Sequence, residues 1–502
     1  MPPDHPRRDS GISVSLEAGI DDRVQVERRE TRAEAGDPFA ILVLGDFRGV
    51  GEGAPAADLA SFEERVPLAV DRDDLDRAMG ALRPAVHIPG DSDAPEQTLA
   101  FRTIRDFHPD RLLEHASVLR GLRRERTGEA AESPSEDPPE ADSHPAGDRA
   151  ESDDFGLLDQ ILASEGEPST PAASEGSTRG ARDPLRAASE LDAFLRRITR
   201  PYETRDPDPA DEARRDALDR ETTLQLRRLL HHPRFQALEA RWRALSLLVH
   251  RLETGPDLKV FLLQADPAER IRAAETGELE TLLLRTSGEL LGGAPWAVTL
   301  VDHTFGDHPR EVEALIGLAT ASQATGTAFV AEADPSLLGI EGSGAESSAA
   351  WHRLRAHPGA AGLGLCLPRF LARLPYAKGE NPCESMDFQE LEAGRTPDTR
   401  TLSWGNPAFL AAILLGTAFR RNGWGLRAGD PDRVDSLPLA LHPGKDGTVA
   451  LPCTELTLSS DQVQGLIEAG FIPVGSRPGE GTARLLGFRS VSKSGATLNG
   501  PW

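Results

Sequence analysis

The chain has 502 residues and a formal net charge of −25, from 81 acidic and 56 basic side chains. That balance excludes a general role on nucleic acid or on anionic membranes, which needs basic stretches to neutralise phosphates. The length allows about two to four domains, and three cysteines exclude a disulfide scaffold.

No run of about 18 apolar residues is present to insert into a membrane. The first residues carry no apolar core of a secretory signal, so a cytoplasmic location is expected. Residues 1–36 form a polar arm with one alternating stretch, Ile12, Val14 and Leu16. Period-two alternation marks a strand. An isolated strand is unstable in water, so this one pairs within its own domain or adds to the sheet of another subunit.

Residues 37–125 read as a small αβ domain. The apolar run over 39–44, closed by Gly45 and Asp46, predicts a buried strand. A glycine-rich loop follows over 48–55, then a second strand over 66–70. A helix is predicted over 71–82, with Asp71 as cap and Leu75, Met79 and Leu82 on one face. Strands are expected over 85–88 and 99–101. His108 and Pro109 open a helix carrying Leu112, Leu113, Ala116, Leu119 and Leu122.

Residues 126–190 differ in kind. Ten acids stand against one arginine between Glu129 and Asp154. Low hydrophobicity with high charge does not offset ordering entropy, so this is expected to be a disordered acidic linker. The apolar island from Phe155 to Leu162 is either a docking segment or an incidental nascent helix.

Residues 191–502 read as a larger α/β domain, because amphipathic helices alternate with apolar strands. Helices are predicted over 191–198, 213–230, 235–252, 310–323, 408–421 and 461–469. Strands are predicted over 259–264, 296–301, 328–331, 362–367, 449–451 and 454–458, the second of them ending in Asp302 and His303.

Local signatures of chemistry are sparse. Gly49, Gly51 and Gly53 miss the dinucleotide fingerprint, and no phosphate-loop motif occurs, so 48–55 reads as a surface loop. His231 and His232 are adjacent, and on a helix they point in different directions. Asp302, His303, Asp307 and His308 follow a strand, where α/β enzymes hold their sites. They read as a metal cluster or as a turn in which His308 and Pro309 enter the next helix, and the turn is preferred. Cys366, Cys383 and Cys453 read as buried or half-buried thiols. No catalytic, cofactor or metal residue is assigned.

Longer motifs carry a resemblance. The run from His231, His232 and Pro233 through Phe235, Leu238, Glu239, Trp242 and Leu245 resembles the large subunit of the type VI secretion contractile sheath. The likeness continues through Pro368, Arg369 and Phe370, then Leu374, Pro375 and Tyr376, then Trp404, Gly405 and Asn406, and ends at Gly470, Phe471 and Pro473. Leu44, Gly45, Asp46 and Phe47, with His108 and Pro109, resemble the small subunit. The chain thus looks like a fusion of the two, small subunit first.

The resemblance implies a structural protein that polymerises around an inner tube and contracts to propel it. Implied partners are itself or other sheath subunits, the inner tube protein, baseplate components and a separate disassembly ATPase. Neighbouring protomers would be linked by donated strands, for which Ile12, Val14 and Leu16 are the candidate. The family's large subunit normally continues well past the Gly470 segment, whereas 32 residues follow it here. The expected large-subunit domain is therefore a shortened one. Two other readings stay open: a sheath-like accessory that binds sheath or baseplate without forming tubes, and an α/β enzyme using Asp302, His303 and His308.

Overall fold

The computed structural model describes residues 32–49, 60–90, 95–127, 208–342, 345–392, 398–444 and 447–502. The candidate donated strand at Ile12, Val14 and Leu16, the linker beyond Thr127, the island over 155–162 and the helix expected over 191–198 lie outside these residues.

The first segment runs β1 (Phe39–Gly45), β2 (Leu68–Val70), α1 (Leu75–Leu82), β3 (Ala85–Ile88), β4 (Gln97–Ala100), α2 (Pro109–His115) and α3 (Ser117–Thr127). The second begins with α4 (Pro209–Leu230), α5 (Pro233–Arg251), β5 (Leu258–Gln264), α6 (Pro267–Thr276), α7 (Glu278–Leu291) and β6 (Val298–Phe305). It continues with α8 (Pro309–Thr325), β7 (Ala328–Ala333), α9 (Ala345–Ala356), β8 (Leu363–Leu367), β9 (Phe370–Leu371) and β10 (Trp404–Gly405). Last come α10 (Ala408–Asn422), β11 (Arg433–Val434), β12 (Leu441–Gly444), β13 (Gly447–Ala450), α11 (Ser460–Glu468), β14 (Ile472–Ser476) and β15 (Ala483–Leu485). This is the expected α/β class.

Nine strands form one sheet in the order β11-β15-β14-β8-β7-β6-β1-β5-β2. The run from β14 to β5 is parallel, and β2, β15 and β11 are antiparallel at the two edges. β1 lies between β5 and β6, with Phe39 opposite Leu258, Gly45 opposite Gln264 and Ile41 opposite Val298. The first segment therefore supplies a central strand to the sheet of the second. It also supplies β2, which covers the outer edge of β5.

A parallel strand inside a sheet has apolar neighbours on both faces, so its sequence is continuously hydrophobic. Every residue of β1 is buried. Phe39, Ile41 and Val43 enter the core formed with α5 and α10. Ala40, Leu42 and Leu44 enter the core formed with α7 and α8. Of these, Phe39, Ile41, Leu42, Val43 and Leu44 each contribute about 1.5–3 kcal/mol when fully buried. Phe39 also stacks on Phe419 at 4.8 Å, and the Trp424 indole N–H donates to the Asp37 carbonyl at 2.9 Å. A second junction is aromatic: Phe101 and Phe107 stack at 4.2 Å, and both meet Phe235 of α5 edge-on.

Several expectations are corrected. The helix expected from Asp71 begins at Leu75, because the Asp71 carboxylate accepts the backbone N–H groups of Asp73 and Asp74 and holds a turn instead. The helix after Pro109 breaks at Ala116 into α2 and α3. β6 does not stop at Asp302 and His303 but runs to Phe305, with an irregularity between Val301 and Thr304. The strand expected over 454–458 is one isolated bridge from Thr454 to Phe370. Two helices over 267–291, joined at Gly277 with φ +81°, and α9 had no counterpart in the sequence reading.

Four His-Pro pairs start helical turns: His108, His232, His308 and His357 each precede a proline at the first helical position. Proline is pre-organised there and its missing N–H costs nothing. His308 is thus a cap, its Nδ1 accepting from the Arg310 N–H at 3.3 Å, as the preferred turn reading required.

The inserted β1 leads to a prediction. Residues 32–127 and 208–502, co-expressed as two chains with one tagged, will co-purify, and 208–502 alone will be insoluble. Soluble, cooperatively unfolding 208–502 would contradict the shared sheet.

Candidate functional site

The resemblance residues gather where the first segment meets α5. β1 ends at Gly45, and Asp46 and Phe47 follow it into a turn. Asp46 is buried, and its Oδ1 accepts from Gln264 Nε2 at 2.9 Å and from the Gly49 N–H at 3.1 Å. Its carbonyl accepts from Arg241 Nη1 at 2.7 Å. The Trp242 indole N–H donates to the Phe47 carbonyl at 3.0 Å while the two rings meet edge-on at 5.2 Å. Gly49 has φ +72°, and a Cβ there would come 2.6 Å from the Ala85 carbonyl. The turn after β1 is thus held by the side chains of Asp46, Gln264, Arg241 and Trp242.

Below this turn lies a buried ionic network. Glu239 of α5 is fully buried and accepts from Arg243 at 2.9 Å and from Arg373 at 2.8 Å. Arg373 makes a bidentate pair with Glu390 at 2.7 and 2.9 Å, and its guanidinium lies 4.3 Å from the Tyr376 ring centre. Burial alone would raise the Glu390 carboxyl, but the Arg373 charge and the hydrogen bonds from Arg373 and the Tyr376 N–H hold it down at about 2. The Tyr376 ring meets His108 edge-on at 4.9 Å. Asp110, two residues on, accepts from Cys383 Sγ at 2.9 Å and from the backbone N–H groups of Glu384 and Ser385. Burial opposes the Asp110 charge, and those hydrogen bonds prevail, holding it at about 2. Burial, then Asp110, pushes the Cys383 thiol up to about 12.

The other resemblance residues are structural neighbours. Phe235, Leu238 and Leu245 are core, and Leu374 packs on a small cluster around Leu371 and Trp404. Pro375 is buried. Gly405 pairs with Phe370 between β10 and β9, where a Cβ would press 2.7 Å from the Phe370 ring. Gly470, at φ +89°, ends the turn after α11. Phe471 stacks on Trp351 at 5.9 Å, and Pro473 pairs with Leu367.

At the carboxyl ends of β6, β7 and β8 two adjoining hollows open. One, of about 730 Å³, is lined by Leu338, Leu456, Leu458 and Leu466 around Glu332, Pro368 and Arg369. Arg369 pairs with Glu455 at 2.6 Å and stands 3.9 Å from Glu332. Burial pushes the Glu332 carboxyl up to about 8 despite Arg369. The other, of about 300 Å³, holds Asp302 and His303. Asp302 is ion-paired to Arg241 and accepts from Asn406 at 3.1 Å. Burial opposes its charge, but Arg241 and Arg270 keep it below the usual carboxylate range. Burial, then Arg270, lowers His303 to about 4. His308 is not with them; it caps α8. Among the described residues no three His, Cys, Asp or Glu are grouped to hold a metal. No described helix is long and apolar enough to cross a membrane.

Sequence reasoning singled out Asp46, Glu239 and Asn406 but missed Arg241, Arg373 and Glu390, the charges that join them. Arg241 was legible only as a charge within an otherwise apolar helix face. Arg373 and Glu390 left no local signal.

Residues 212–492 match the family model described as EvpB/VC_A0108, tail sheath N-terminal domain. The chain belongs to this type VI secretion tail-sheath family. Residues 20–130 match a second model, described as type VI secretion system, VipA, VC_A0107 or Hcp2. The chain is also similar to the type VI secretion system sheath protein TssC1 of Pseudomonas aeruginosa, at 30% identity over 305 residues, covering 55% of this chain. It spans 60% of that relative's length. Both sheath matches occur in one polypeptide, so β1 comes from the VipA-like segment while β5 and β6 come from the tail-sheath segment.

Two expected outcomes follow from the charges. Arg373→Met strips Glu390 and Glu239 of a buried partner and should cost about 3–5 kcal/mol in denaturant unfolding; a loss below about 1 kcal/mol would contradict the network. Glu332 keeps its proton to about pH 8 when folded against about 4.5 when unfolded. Its contribution is thus complete below pH 4.5 and declines as pH rises through 8. Glu332→Gln should therefore gain stability relative to the parent between pH 4.5 and 8, and a pH-independent difference would contradict the assignment.

Proposed function

We propose that this chain is a one-piece subunit of a type VI secretion contractile sheath, with a small-subunit segment and a large-subunit segment fused. The observation that carries the reading is β1, a strand of the VipA-like segment buried between two strands of the tail-sheath segment. Pieces that must pair one to one gain an effective concentration of order mM when covalently joined. The fusion makes that pairing intramolecular.

In this reading the protein is mechanical rather than enzymatic. It acts in the cytoplasm with other sheath subunits, an inner tube protein, baseplate components and a separate disassembly ATPase. The energy of contraction resides in a metastable packing of the lattice, a bistable arrangement of rigid units. The arm carrying Ile12, Val14 and Leu16 is the strand donated to a neighbouring sheet. Main-chain hydrogen bonds supply that link, and alternate side chains bury one face.

Negative-stain electron microscopy tests this directly, on the purified chain alone and with the sheath-like and tube products encoded beside it. Hollow tubes are expected. Deletion of residues 1–31 should abolish tubes while leaving a folded monomer. Monomers or small oligomers under every condition would contradict the sheath role and favour an accessory that binds sheath or baseplate.

A further inference from the structure

The hollow of about 730 Å³ at the carboxyl ends of β7 and β8 has a feature that neither the fold nor the sheath reading uses. Leu338, Leu456, Leu458 and Leu466 give it apolar walls, yet Glu332 stands among them as a carboxyl group that is only 7% exposed. Unlike Glu239, whose Oε2 is sealed in, Glu332 keeps 9% of its side chain accessible where it lines the hollow. Its nearest cation, Arg369, stands 3.9 Å away and is committed to Glu455 through two hydrogen bonds of 2.8 and 2.6 Å. The Thr304 hydroxyl is beside it, but no nitrogen donor among the described residues lies within hydrogen-bond distance. Asp334 and Glu455 line the same hollow, so its acids outnumber its one arginine.

A carboxylate short of donors is complementary to a ligand that only donates, and an ammonium group has three donors and no acceptor. A hollow of this size with apolar walls takes an organic molecule rather than a bare ion. The geometry points to a binding site for an alkylammonium cation, its carbon chain along the leucines and its head group on Glu332. The placement agrees with the tendency of open parallel sheets to bind ligands beyond the carboxyl ends of their strands. Protonation makes the site recognisable in solution. Burial keeps Glu332 protonated at neutral pH, with Asp302 and Glu455 adding to that effect and Arg369 opposing it. An ammonium ion seated on the carboxyl group displaces that proton, so about one proton is released per cation bound at pH 7.

Titration calorimetry and thermal unfolding of the full chain with n-hexylammonium chloride, and separately with the peptide acetyl-Leu-Lys-Leu-amide, test the site at pH 7 and fixed ionic strength. A saturable heat and a saturable rise in Tm are expected for at least one of the two. The stronger responder identifies the source as a free amine or as a lysine presented by a partner chain. Hexanol, of the same length without the charge, should bind about tenfold more weakly or worse. Titrations in phosphate and in MOPS, buffers of different ionisation enthalpy, should give heats that differ by the release of about one proton. Glu332→Gln keeps the shape of the side chain, and should weaken binding about tenfold or more and remove the proton release. A Cβ at Gly465 of α11 would meet open space on the wall of the hollow, so Gly465→Trp fills the hollow without touching the core and should abolish the response. Absence of a saturable response to both cations, equal binding of hexanol, or an undiminished response in Glu332→Gln or Gly465→Trp would overturn the proposal.

Discussion

β1 has hydrogen-bonded strands on both edges and a hydrophobic core on each face. Removing it would open the sheet between β5 and β6 and expose two apolar layers at once. Most of what surrounds it can be understood as fixing its position. Trp424 and Phe419 close over its start, Arg241 and Trp242 hold the turn at its end, and β2 seals the far edge of β5. The small-subunit and large-subunit matches are separable as sequences but share this one sheet.

The ionic network is a second fastening of the same joint. Glu239 and Arg373 lie 134 positions apart in sequence, and Asp110 is bonded to residues more than 270 positions away. Buried charges of this kind contribute little net stability over apolar replacements, but loss of one partner is severe. Their role here is better described as fixing alignment: Arg373 joins Glu239 of α5 to Glu390 beside the Tyr376 loop, and Asp110 at the start of α2 takes its donors from residues 383–385.

The strand over 39–44 was legible because a doubly buried strand is continuously apolar, and α5 because its apolar face recurs at helical spacing. What could not be read was the partner of β1. Hydrophobic runs announce burial but not where they are buried, so 37–125 read as a domain complete in itself while its principal strand lies in a larger sheet. The 454–458 stretch misled for a physical reason. Thr454, Leu456 and Leu458 alternate as a strand would, yet Leu456 and Leu458 line the larger hollow and Glu455, just before Leu456, pairs with Arg369. Helix α6 went unread because it buries Arg270 with two alanines rather than an apolar stripe, whereas α7 does carry one, at Leu279, Leu282 and Leu283, that was passed over.

The most direct test of the joint is native-state hydrogen exchange of the full chain. The amides of Ile41, Leu42, Val43 and Leu44 should exchange only through global unfolding, with the same free energy as those of β5 and β6. Exchange of these four amides at a markedly lower free energy than β5 and β6, with the rest of the sheet still protected, would mean that the first segment docks and leaves on its own, and would contradict the account.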